Sequence, residues 1–162
     1  MTTQTDYTKE EWQAILQAPV MAGMVVMLTS QSGPFQMVKE MFAVGQALAE
    51  VEKEGASNEL IGALVNAAKS IKSEDLQPAQ KFETIEEARR YALDQLRQVA
   101  ALVNQKAPAQ EAQEFRQWLV SIGPKVAEAA KEGGFLGFGG VQVTEEEKAA
   151  ITELSAALGV TP

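Results

Sequence analysis

From Trp12 to Leu158, apolar residues recur every three to four positions, the repeat of helices with one buried face. The first stripe reads Trp12, Ile15, Leu16, Pro19, Val20, Gly23, Met24, Met27 and Leu28, and it follows Thr8-Lys9-Glu10-Glu11. That tetrapeptide is a capping box: the Thr hydroxyl accepts from the amide three residues on, and the Glu carboxylate reaches back. Pro19 has no amide hydrogen and crowds the preceding turn, so a kink or a split is predicted there. Gln31-Ser32-Gly33-Pro34 then ends this segment and opens a second, with Pro34 suited to a first helical position. Its predicted stripe is Phe35, Val38, Phe42, Gly45, Leu48 and Val51, with Gly55 placed to stop it. A third helix, capped at Ser57, turns Leu60, Ile61, Leu64, Val65, Ala68 and Ile71 inward.

Residues 72–83 carry charge and Pro78 without periodicity and read as a connector between two halves, 1–71 and 84–162. Thr84-Ile85-Glu86-Glu87 is a second capping box, and its helix is predicted to bury Ile85, Ala88, Ala92, Leu96, Val99 and Val103. Ala107-Pro108 opens the next helix, with Phe115, Trp118, Leu119, Ile122 and Val126 inward and a break near Gly123-Pro124. Thr144-Glu145-Glu146-Glu147 is a third box, starting a helix that buries Ile151, Leu154 and Leu158 and ends at Gly159. Between these last two helices, Phe135–Phe138 and Val141–Val143 flank Gly139-Gly140 and could pair as a very short hairpin. The expectation is an all-α single domain over 1–162, a compact bundle of six or seven helices. A faint duplication supports two pseudo-repeated halves: Trp12 to Pro19 followed by a glycine turn echoes Phe115 to Pro124 followed by Gly133-Gly134.

Composition narrows the function classes. The 162 residues are 46% hydrophobic and 22% charged, ordinary values for a folded domain. A net charge of −8 argues against nucleic acid and anionic membrane surfaces, which attract basic patches. The four arginines, Arg89, Arg90, Arg97 and Arg116, share one stretch with Glu86, Glu87, Asp94, Glu111 and Glu114, which reads as a mixed solvated face. The longest apolar run, Ala18 to Leu28, is shorter than the roughly 20 residues of a membrane span, so no integral membrane insertion is expected. The amino terminus lacks a basic-then-apolar leader, and a cytoplasmic location is expected.

Neither cysteine nor histidine occurs. That removes the usual triads, thiolate sites and the commonest general base, so no catalytic residue is assigned and no enzyme or cofactor is expected. The glycines of 133–140 do not form a phosphate loop: Gly139-Gly140 is followed by Val141-Gln142 where Lys-Ser/Thr would be needed. Glu145, Glu146 and Glu147 are weak candidate ligands for Ca²⁺ or Mg²⁺. No Asp-x-Asp-x-Asp-Gly loop precedes them, and a first helical turn favours acidic residues through its dipole, so capping is the preferred role. The internal methionines Met21, Met24, Met27, Met37 and Met41 fall in one stretch among small residues. They suit either helix crossings or an adaptable partner surface, which Phe135 and Phe138 could extend.

The run Gly139-Gly140-Val141-Gln142-Val143-Thr144-Glu145-Glu146-Glu147-Lys148, followed by Ala149-Ala150-Ile151, resembles the helix-start signature of TerB-like tellurite-resistance proteins. The match covers about twenty residues at the carboxyl end. It implies an all-helical, non-catalytic, stress-associated module, often built of two units, that acts through protein contacts. The acidic residue usual before the turn glycine is replaced here by Gly139, so the family's candidate cation site does not carry over.

Two functional readings follow. One is a non-enzymatic interaction module with a protein partner or a second copy of itself, as a homodimer. The other is a helical binder of a small apolar ligand between the halves. Either way, Phe135 and Phe138 should be held against the helices, since exposing both forgoes apolar burial. Phe135→Ala is expected to cost about 2–4 kcal/mol in thermal or denaturant unfolding; an unchanged melting temperature would contradict that packing.

Overall fold

The computed structural model describes residues 3–28, 34–76, 80–132 and 144–161. It is all-α, with α1 (Lys9–Met27), α2 (Pro34–Glu54), α3 (Glu59–Ala68), α4 (Ile85–Lys106), α5 (Ala109–Glu132) and α6 (Glu145–Leu158). Short 3₁₀ turns lie at Gln4–Asp6 and Ser73–Leu76, and no strand occurs among the described residues. The hairpin expected around Gly139-Gly140, with Phe135 and Phe138, lies outside the described residues.

The organising element is α1, which touches all five other helices and packs most extensively on α4 and α5. From Ala18 to Met27 every residue but Met24 is buried. A helix apolar all round has to be enclosed. Here α2 and α3 from the first half and α4, α5 and α6 from the second enclose it, so the two halves interleave.

That enclosure explains the first departure from the sequence reading. Of the kink or split predicted at Pro19 the split does not occur, since α1 runs through it, and the break predicted near Gly123-Pro124 does not occur in α5. A proline in a helix interior costs about 3 kcal/mol, which burial of several large apolar side chains at about 1.5–3 kcal/mol each offsets. Close approach explains the next. An added Cβ at Gly23 would sit 2.8 Å from Val44 Cγ2, so α2 crosses α1 with its Val44 methyl in the space glycine leaves. Among the described side chains of α2 the buried ones are therefore Ala43, Val44 and Ala47, with Leu48 and Val51 partly buried, while Gly45 faces open space; those of Phe35, Val38 and Phe42 lie outside the described ones. Gly123 plays a similar part against Leu154, Ile151 and Val26.

Helix ends are closed by specific side chains. Thr8 and Glu11, and Thr144 and Glu147, form reciprocal boxes as expected. Thr84 caps α4 through Glu87 N at 3.1 Å, but Glu87 reaches back one residue further, accepting from Glu83 N at 3.2 Å. The cap of α3 is Asn58, not Ser57: its Oδ1 accepts from Ile61 N at 3.1 Å, and its Nδ2 donates to Glu111 O at 2.9 Å, tying α3 to α5. Gly55 and Gly159 stop α2 and α6 with φ of 78° and 65°, the left-handed region that glycine adopts freely. Arg116 then donates to the carbonyls of Leu158 and Gly159, both at 3.1 Å, securing the end of α6 on α5.

The 72–83 connector is anchored too, since Gln13 Nε2 donates to Asp75 O at 2.9 Å. At the far end of α4, Lys106 Nζ reaches Glu11 Oε2 at 2.6 Å and Asp6 O at 3.2 Å, and it lies 5.5 Å over the Tyr7 ring. This clasp joins the start of α1 to the end of α4. The Lys106 bond, followed by the Thr8 amide, holds the Glu11 carboxyl below its ordinary pKa.

Two measurements test this packing. Gly23→Ala is expected to destabilise by about 1–3 kcal/mol by overpacking against Val44, whereas Gly45→Ala should stabilise by about 0.5–1 kcal/mol through helix propensity; calorimetric melting of the pair checks both signs. The clasp predicts a pH effect. A carboxyl with a depressed folded pKa stabilises above its unfolded value, 4.5 for Glu11, and loses that contribution as pH falls through the folded value. Lys106→Met should therefore lower the melting temperature near neutrality and flatten its decline below about pH 5. A variant with the same acid slope as the parent would contradict the assignment.

Candidate functional site

The described core residues pack against one another, and the methionines illustrate where apolar side chains go. Met21 and Met27 are buried in the core and Met24 is partly buried against it. Met37 and Met41 belong to α2, but their side chains, like Phe135 and Phe138, lie outside the described ones. The glutamates that begin α6 are divided among local tasks. Glu147, only 5% exposed, completes the Thr144 box, Glu145 pairs with Lys148 Nζ at 3.0 Å, and Glu146 is exposed. No group of three or more acidic side chains among the described residues could hold a metal ion, and no described helix is long and apolar enough to cross a membrane.

A cleft beside Asn58 is lined by Glu59, Glu111 and Glu114. Asn58 Nδ2 already donates there to Glu111 O and, at 3.1 Å, to Glu114 Oε2. Its polar atoms serve the joint between α3 and α5.

A different arrangement occupies the amino-terminal half of α4. An open groove of about 570 Å³ is lined there by Leu28 at the end of α1, by Glu153 of α6, and by Ile85, Glu86, Arg89, Arg90, Leu93, Asp94 and Arg97 of α4. The α4 residues fall on two neighbouring ridges with a spacing of four, 85-89-93-97 and 86-90-94. Three of the four arginines in the chain converge on this groove, and the fourth, Arg116, closes α6.

Their pairing is uneven. Arg89 meets Glu153 Oε2 at 2.9 Å, joining α4 to α6, while its buried Nε has no hydrogen-bond partner among the described residues. Arg97 pairs with Asp94 at 2.6 Å. Arg90 is exposed and has no ion pair among the described residues. A guanidinium has five donor hydrogens in a planar fork, so all three retain donors to offer. At the rim, Ile85 is 55% exposed. The sequence stripe places Ile85 in the core; it is instead the first residue of α4, ahead of the point where Ala88 enters the core, and nothing covers it among the described residues.

Chemically the groove offers directional donors, acceptors and an apolar contact, without a hydroxyl, imidazole or thiol among the described residues of its lining. Interleaving with Glu86, Glu87 and Asp94 makes the arginines read as a solvated face in the sequence. The signal that could have found the groove is the four-residue spacing of Ile85, Arg89, Leu93 and Arg97. Comparison with known families, characterised proteins and solved structures finds no match to this chain.

Proposed function

We propose that this chain is a non-enzymatic helical interaction module that binds a protein partner through the α4 groove. The observation carrying this reading is the convergence of three arginines and the exposed Ile85 on one open groove. Arginine and large apolar side chains dominate binding energy at protein contacts, where forked hydrogen bonds can be desolvated beside an apolar anchor. The lack of histidine and cysteine in the chain, and of any hydroxyl among the described residues that line the groove, supports binding over catalysis. The likeness of residues 139–148 to TerB-like proteins favours a stress-associated setting for that contact.

A photo-crosslinking amino acid at position 85 tests the reading in the cell. A discrete adduct is expected at 85, lost when Arg90→Glu is added, and absent when the crosslinker replaces Gln113, an exposed residue of α5 outside the groove. Equal labelling from both positions would overturn the assignment of the groove.

A further inference from the structure

We propose that the occupant of the groove is α4 of a second copy of this chain, packed antiparallel about a two-fold axis; this rests on the interaction reading of the same surface. Glu86, Arg90, Asp94, Arg97 and Ala101 are all exposed and follow one another at spacings of four, four, three and four residues. That is the repeat with which one helix face meets another. Along this face the charges alternate: acid, base, acid, base.

Alternation makes the face complementary to itself. With the axis level with Ala92, a rise of 1.5 Å per residue puts Arg90 and Asp94 each about 3 Å from the axis, on opposite sides. Glu86 and Arg97 lie at about 9 and 7.5 Å in the same sense. Each Arg90 then faces Asp94 of the second copy, and each Glu86 faces its Arg97. A register centred on Arg90 instead would set Glu86 against Asp94 and Arg90 against itself, so repulsion selects the first register. The groups are available for this. Glu86 and Arg90 have no ion pair among the described residues, and the Asp94–Arg97 bond engages only one carboxylate oxygen and one guanidinium nitrogen.

The wider electrostatics point the same way. A chain of net charge −8 repels its own copies at long range, but this groove is lined by three arginines and three carboxylates. It is a neutral patch on an acidic molecule, where two copies meet at least cost. A single helix pair buries less than the ~1,000 Å² usual in a stable interface, so the dimer forms at micromolar or higher concentration.

Charge reversal in trans tests this with the full-length chain. Sedimentation velocity over a concentration series is expected to show a monomer–dimer equilibrium. Arg90→Asp alone and Asp94→Arg alone should each raise its Kd at least about tenfold, because each variant opposes like charges across the axis. An equimolar mixture of the two variants should dimerise again: the aspartate introduced in one chain then faces the arginine introduced in the other, and the native pair re-forms beside it. Circular dichroism on each variant confirms the fold. A parent chain that stays monomeric throughout, or a mixture as weak as its components, overturns the proposal. The position-85 crosslink separates the two readings: an adduct with a different protein, from a monomeric parent, leaves the groove as an interaction site and removes self-association, whereas labelling that ignores the groove removes both.

Discussion

The burial of the second half of α1 on every side is the constraint from which the rest of the structure follows. From Ala18 to Met27 there is no polar side chain, so no face of this segment can be left to water. Five helices are recruited around it, and they can come close only where small residues leave room. Gly23 admits Val44, and Ala18 and Ala22 are fully buried beside it. Met21 and Met27 fill what remains, as flexible unbranched side chains do at irregular crossings. Charge is thereby driven outward, onto the faces of α4, α5 and α6 that α1 does not touch.

The same constraint shapes the ends. A helix packed in the middle of a bundle needs its termini fixed, because slippage along its axis would move every buried side chain. Thr8 and Glu11 close its start, and Lys106 binds that start to the end of α4. At the other end, Leu28 is followed by no comparable clasp among the described residues, and α4 begins there with Ile85 and its arginines. The groove lies at the end of the α1–α4 pair opposite the clasp. One end is stapled by charge, and the other presents charge.

How much of this was legible follows from what kind of physics each feature needs. The all-helical class, the Thr8 and Thr144 boxes, the Thr84 cap and the stops at Gly55 and Gly159 depend on neighbours within a few residues, and all are visible in the sequence. Helix continuity through Pro19 and Pro124 is not, because the compensation comes from other helices. Likewise the α2 stripe shifts from Gly45 to Val44 because only the partner helix decides which of two overlapping stripes faces in. Asn58 prevails over Ser57 as a cap because its amide also reaches Glu111 on α5. The groove escapes a sequence reading for a related reason: Ile85 fits an inward stripe by spacing, and only the geometry of the α4 start shows that no described helix covers it.

An acidic surface interrupted by a charge-balanced groove has consequences beyond any one contact. Away from the groove, the excess of carboxylates discourages chance encounters, since like charge must be brought together at most other faces. At the groove the two signs balance and that penalty is absent. Arg89 is held by Glu153 and Arg97 by Asp94, so two of the three forks are already oriented. Arg90 is exposed and without an ion pair among the described residues. The pattern of charge in this protein thus follows from the core it must enclose: packing the apolar half of α1 turns charge outward, and along the exposed ridge of α4 acid and base alternate at Glu86, Arg90, Asp94 and Arg97.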